Sequence, residues 1–399
     1  MQSTSVDRLA QDLLQHCLEG RPWPGHLLDS LLDADGSRAL FRIVVERLGD
    51  LFEPKLCSVY AELFSEVIAR RIPGLHAEHL AARYERVRRT RAFDRNPAAI
   101  RNVFVFSRVT LGADVAITSV LLDAAKQRFP NARIWFAGPQ KNWELFQADA
   151  AVSHLAIDYR RSGALDDRLS IWGELRDAVS RPASIVIDPD SRLTQLGLLP
   201  ICSEEDYYFF ESRSYGGASD ESLGVLARRW ASETFGVVDP RPYICTGLDA
   251  APYTTTVSFG VGENPEKRVA DPFEEELLWH LPRPVLIDKG AGGEEAERVE
   301  RAVAKAGTGV MAWDGSFAGF AEHVARSRLY VGYDSAGGHV ASACGVPLIS
   351  IFSGFASERM LQRWSPPGAH ILRAGGSSAA HALVGAALTL MSTLGFTVS

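Results

Sequence analysis

The chain has 399 residues, of which 46% are hydrophobic and 23% charged, enough for two large domains that each bury a full core. Its 42 Lys+Arg against 49 Asp+Glu give a net charge of -7, which excludes a general nucleic-acid coat and a polybasic membrane binder. The cysteines (Cys17, Cys57, Cys202, Cys245, Cys344) are scattered, odd in number and without a C-x-x-C pair. A disulfide framework and a cysteine-rich zinc module are therefore excluded, and a reducing, cytoplasmic compartment is expected. The opening M-Q-S-T-S-V-D-R carries no apolar signal core.

Residues 1–95 read as a helical N-terminal domain. V-D-R-L-A-Q-D-L-L-Q-H-C-L and F-R-I-V-V-E-R-L-G-D-L-F space their apolar residues at helical period, and P-W-P, D-A-D-G and Pro73-Gly74 break the region into pieces. It closes with Arg83, Arg86, Arg88, Arg89, Arg91 and Arg95, either a solvated helix face or a docking surface for an acidic protein partner or phosphorylated acceptor. After Asn96-Pro97 short β-rich runs alternate with helical ones: I-R-N-V-F-V-F-S, A-R-I-W-F-A-G, A-S-I-V-I-D-P-D, T-T-V-S-F-G-V-G, P-V-L-I-D-K-G, R-L-Y-V-G-Y-D and V-P-L-I-S-I-F. That alternation predicts βαβ units and parallel sheets, divided near D-P-R-P into residues 96–240 and 241–399. From Ala382 to Val398 no charge occurs. The run is shorter than the roughly 20 apolar residues a spanning helix needs and is broken by Gly, Ser and Thr, so a buried terminal helix is expected.

Four strand-to-helix loops hold the chemistry. Ser107–Asp114 places Arg108 and Asp114 at a strand end, where open α/β sheets bind ligands, although a helix cap alone would explain Asp114. The loop is not a G-x-G-x-x-G, so no dinucleotide cofactor is indicated. In Y-V-G-Y-D-S-A-G-G-H a strand gives way to Asp334, Ser335, Gly337, Gly338 and His339 at a helix start, a site for phosphate; a tight turn is the bland alternative. S-F-G-V-G-E-N-P-E-K-R carries Gly260 and then Lys267 and Arg268, a point charge and a planar fork that suit a diphosphate or simply a solvated loop. K-G-A-G-G-E-E leads to Glu294 and Glu295, which suit a helix N-terminus and could also bind ribose hydroxyls.

Taken in order, these segments resemble the ADP-heptose:lipopolysaccharide heptosyltransferases, glycosyltransferase family 9, over roughly residues 100–360. The resemblance implies two Rossmann-like domains facing a cleft (the glycosyltransferase B architecture), with acceptor on the first and nucleotide-sugar donor on the second. It makes Asp114 the general base, Lys267 a donor-phosphate ligand, Asp334, Ser335 and His339 the donor motif, and Glu294 or Glu295 the ribose glutamate. Ser335 and Ala336 replace the family's Thr and Gly, Ala113 its glycine before the aspartate, and Val269 its tryptophan. Residues 1–95 have no counterpart.

An inverting, metal-independent transfer without cofactor is therefore expected, the donor being a nucleotide-diphosphate sugar and the acceptor a lipid-linked saccharide, a small molecule or a protein. A lipid-linked acceptor would bring the protein to the inner membrane face. Asp188 and Asp190 form a D-x-D string, but in the first half, where they read as structural or acceptor-side residues. Rival readings are a nucleotide-sugar epimerase or hydrolase of related architecture and a non-catalytic nucleotide-sugar-binding protein.

Overall fold

The computed structural model describes residues 5–160, 163–262, 264–290, 292–375 and 380–397. Two parallel sheets stand side by side. The first contains β1 (Asn102–Phe106), β2 (Arg133–Gly138), β3 (Val152–Ala156), β4 (Ser184–Asp188) and β5 (Tyr207–Phe209), ordered β3-β2-β1-β4-β5. The second contains β6 (Thr255–Ser258), β7 (Val285–Asp288), β8 (Val310–Trp313), β9 (Leu329–Tyr333), β10 (Leu348–Phe352) and β11 (His370–Arg373), ordered β11-β10-β9-β6-β7-β8. Near-continuous apolar runs form these strands because both faces are covered, and burial is complete along β9 and β10. Register follows size as well as polarity: Phe104 lies opposite Trp135 and their rings stack at 6.0 Å.

Strand order reverses between β1 and β4 in the first sheet and between β6 and β9 in the second. Loops leaving neighbouring strands part company at such points and open a crevice at the carboxyl edge. The four sequence loops that carry candidate chemistry leave β1, β6, β7 and β9, so three of them border a reversal.

The N-terminal helices Ser5–Glu19, Pro54–Arg71 and Ala77–Val87 are amphipathic and lay their apolar stripes on the first sheet. Leu13, Phe64, Val67 and Ile68 share one core with Phe104, Phe106, Trp135 and Val186, so the helices form a layer on the sheet and do not enclose a core of their own. Burying a side chain such as Phe64 in this seam contributes about 1.5–3 kcal/mol. Five of the run's six arginines tie that layer to the first half. Arg83 donates to Gly197 O at 2.7 Å, Arg86 pairs with Glu204, Arg88 with Glu211 and Arg95 with Asp206, and Arg91 lies 4.1 Å over the Tyr208 ring.

The halves are packed together. Val115, Ile117 and Val120 of the first belong to the same apolar cluster as Phe320, Val340 and Val346 of the second. Arg363 of the helix Glu358–Trp364 reaches back to donate to Glu221 O and Gly217 O. The uncharged C-terminal run forms a helix over Ala380–Thr393 that buries Leu383, Val384, Ala387 and Met391 against the second half, while Val398 lies outside the described residues. Among the described residues no helix is long and apolar enough to cross a membrane.

Candidate functional site

On the first half, Asp114 lies just after β1 at the start of a widened helical turn, Asp114–Thr118. It is fully buried and accepts four hydrogen bonds: from Ser107 Oγ and Asn142 Nδ2 on one oxygen, and from the Arg108 amide and Thr118 Oγ1 on the other, at 2.6–2.7 Å. Burial raises its pKa and these donors oppose the rise. The loop above it is strained, because Val109 is β-branched yet left-handed (φ 67), held by a bond from its amide to Ser107 Oγ. Asp114 therefore organises the loop as it stands; reaching an acceptor proton requires Ser107 or Asn142 to swing away.

The other first-half candidates knit neighbouring strand ends together. Arg108 donates to Pro189 O and Ser212 Oγ and stands 3.8 Å from Asp190, with burial lowering its pKa to about 10. Asp190 also takes Arg213 at 3.0 Å. Asp188 accepts from the Ser191 amide, Thr194 Oγ1 and Tyr207 OH, and burial pushes it up to about 6. The D-x-D string is thus a structural device, and of its two carboxylates only Asp190 joins the arginines at the strand ends.

On the second half the loops after β6 and β9 meet. Lys267 Nζ lies 2.7 Å from Asp334 Oδ2 at the switch point, both side chains retaining some exposure. The helix Ala336–Ala343 starts immediately afterwards with Ser335 as its N-cap, whose side chain makes no capping bond, so the first-turn amides remain available to an anion. Gly337 serves packing, since a Cβ there would collide with the Tyr330 ring, whereas a Cβ on Gly338 would make only ordinary contacts with Pro366, Leu348 and Tyr330.

His339 is buried, and that burial lowers its pKa while Asp334 nearby opposes the fall, which favours the neutral imidazole. It packs on the loop after β1, where a Cβ on Gly112 would lie 3.0 Å from its Cδ2, and on Trp364 at 5.9 Å between centroids. Gly112, one place before the position expected from the resemblance, is what lets the two loops touch.

Arg268 turns away from the cleft to Glu274, 3.4 Å from Nε, where Arg298 and the Tyr333 hydroxyl also converge. This is the one ion pair of Arg268 among the described residues, and its Nε makes no hydrogen bond there. The two glutamates separate cleanly: Glu294 is exposed, whereas Glu295 leans over the β6 loop, where a Cβ on Gly260 would lie 2.8 Å from its Oε1.

Sequence reasoning missed Asp50 and Phe52, which the helical layer carries to the mouth of the cleft. No motif marks them; Gly49, the small residue before Asp50 in an otherwise ordinary amphipathic helix, was the available signal. A cavity of about 340 Å³ opens along the helix Ala336–Ala343, lined by His339, Ser342 and Ala343 of that helix and by Ala116, Arg228, Arg241 and Pro367.

No family model and no curated protein match the sequence. Solved structures do. The heptosyltransferase WaaC of E. coli, solved with ADP, is similar at TM-score 0.55 and 16% identity, covering 73% of this chain and 98% of its own. A glycosyl transferase family 9 structure from Veillonella parvula gives 0.53 at 17%, covering 76% and 100%. The ADP-heptose lps heptosyltransferase II of E. coli gives 0.51 at 16%, covering 74% and 100%. This chain has their fold, two Rossmann-like domains in the glycosyltransferase B arrangement.

Proposed function

We propose that this chain is an inverting, metal-independent glycosyltransferase of the family 9 type, moving a heptose from an ADP-linked donor to an acceptor hydroxyl. The observation that carries the reading is the meeting of Lys267 and Asp334 at the switch point of the second sheet, beside the uncapped turn at Ser335. A diphosphate arriving there draws Lys267 from Asp334 and accepts from the first-turn amides, so the charge it gains on leaving is met by groups already in place. Glu295, which lies against Gly260 of the β6 loop, is the candidate for the ribose hydroxyls. Lys267 already neutralises Asp334, and no second carboxylate flanks it in D-S-A-G-G-H, so the site's own donor set suits an anion better than Mg²⁺.

Asp114 takes the acceptor proton once the strained Ser107–Thr110 loop opens and frees one of its oxygens. Attack on the anomeric carbon from the first half, with departure of the diphosphate into the second, inverts configuration. That the E. coli neighbour was solved with ADP, and also with ADP-2-deoxy-2-fluoro heptose, favours the ADP-linked donor over the alternatives. The test is a panel of ADP-, GDP-, UDP- and dTDP-sugars scored by mass spectrometry for binding, hydrolysis and transfer. Donor turnover that never requires an acceptor would favour an epimerase or hydrolase, and binding without turnover a non-catalytic protein.

A further inference from the structure

The helical layer enters the cleft through the end of the helix Glu46–Asp50 and the turn after it. Gly49 lies flat against the Arg213 guanidinium: a Cβ there would sit 2.8 Å from Nε, so glycine alone lets the layer come this close. Three residues on, Phe52 adopts a left-handed backbone (φ 52) and crosses to the second half, its ring edge-on to Trp364 with centroids 6.4 Å apart. Asp50 is held between these anchors, partly buried. Around it stand Arg213 and Arg192 from the first half, Lys267 from the second and Glu46 from its own helix. Burial holds its carboxyl above the ordinary range; Glu46 adds to the rise and the three cations oppose it. Among the described residues its carboxylate accepts no hydrogen bond and closes no ion pair. A partly buried carboxylate beside Lys267, with its hydrogen-bonding capacity unspent among the described residues, is open to the hydroxyl of a ligand.

We propose that Asp50 is an acceptor-binding residue supplied by the helical layer, and that the acceptor it serves is a saccharide. Arg192, whose guanidinium stands 3.7 Å from Glu46, flanks it. A carboxylate beside a guanidinium recognises neighbouring hydroxyls, since one hydroxyl donates to the first while the next accepts from the second. Residues 49–52 thereby form a third wall that the two Rossmann-like halves do not provide, and acceptor choice is set there. The assignment rests on the glycosyl-transfer reading.

The test uses the full chain, ADP-heptose, and the heptose-deficient core oligosaccharide of a lipopolysaccharide as acceptor, with Asp50→Ala and Asp50→Asn. Three quantities are read: ADP binding by calorimetry, ADP-heptose hydrolysis without acceptor, and KM and kcat for transfer. Asp50→Ala should raise the KM for the oligosaccharide roughly tenfold to a hundredfold, as expected for losing a hydrogen bond to a charged group. Asp50→Asn, which keeps an acceptor oxygen, should raise it less. ADP binding and hydrolysis should stay within about threefold of wild type, because neither reports on the acceptor wall. An unchanged KM in both variants overturns the role of Asp50 and leaves the transferase reading standing. Equal losses in ADP binding, hydrolysis and transfer reduce Asp50 to a structural residue. Wild type that hydrolyses ADP-heptose but modifies a peptide and not the saccharide overturns the saccharide assignment, and wild type that leaves ADP-heptose intact overturns the transferase reading and Asp50 with it.

Discussion

Replacing Asp114 by alanine removes the acceptor of four buried donors at once. Two of these, the Ser107 and Thr118 hydroxyls, rotate to other acceptors at little cost. The Arg108 amide is fixed by the backbone and Asn142 is buried, so with no acceptor at position 114 both donors are stranded at about 1–3 kcal/mol each. Relief of the desolvated charge offsets part of this, leaving a loss of about 3 kcal/mol. At roughly 2–4 °C per kcal/mol for a unit of this size, the melting temperature should fall by about 6–12 °C. Asparagine is a milder change. Its oxygen keeps the Arg108 and Thr118 bonds, and the Asn142 amide can turn over to accept from the new NH₂, so about 1 kcal/mol is lost. Its activity should nonetheless fall by roughly 10²–10⁴-fold, the contribution of a general base. Thermal unfolding followed by tryptophan fluorescence, beside transfer kinetics, separates the two effects. An alanine variant melting within about 1 °C of wild type would refute the four-donor account, and an asparagine variant with wild-type turnover would confine Asp114 to holding the loop.

Lys267→Ala should weaken ADP binding more than adenosine binding, since the ammonium addresses phosphate charge; equal losses in calorimetry would contradict its placement. Transfer should persist in excess EDTA, and activity that stops in EDTA and returns with Mg²⁺ or Mn²⁺ would sink the proposal that cations of the chain serve the diphosphate. Asp188, raised by burial from 3.8 to about 6, binds its proton more tightly folded than unfolded, so it stabilises the fold at low pH and that stability declines as pH rises through this window. The span corresponds to on the order of 3 kcal/mol, so Asp188→Asn should flatten the pH dependence of the melting temperature between about pH 4 and 6, and an unaltered slope would contradict it.

Much of the fold was legible because it is written locally. Alternating apolar runs and helical periods along residues 96–399 specify βαβ units whatever surrounds them, and the uncharged terminal run was recognisable as a buried helix by its length. The placement of the candidate residues was legible too, because strand-to-helix loops mark the carboxyl edge of a parallel sheet. Lys267 and Asp334 stand 67 residues apart in the chain, yet the order of motifs already assigned both to one site.

What the sequence could not settle is which way each side chain turns. Lys267 and Arg268 are adjacent in the same loop, and only the packing of Glu274, Arg298 and Tyr333 draws Arg268 out of the cleft. Glu294 and Glu295 were indistinguishable until the backbone at Gly260 gave one of them a place to lean. The arginines from Arg83 to Arg95 look like a surface because their partners, from Gly197 to Glu211, lie more than a hundred residues onward and meet them only after the sheet has formed. Asp50 is the extreme case. On the chain it ends an unremarkable amphipathic helix; in the fold, glycine against Arg213 on one side and Phe52 against Trp364 on the other deliver it to the junction of all three layers. Periodicity determines that a helix forms, but where its end arrives depends on contacts between residues far apart in sequence, which only the tertiary structure decides.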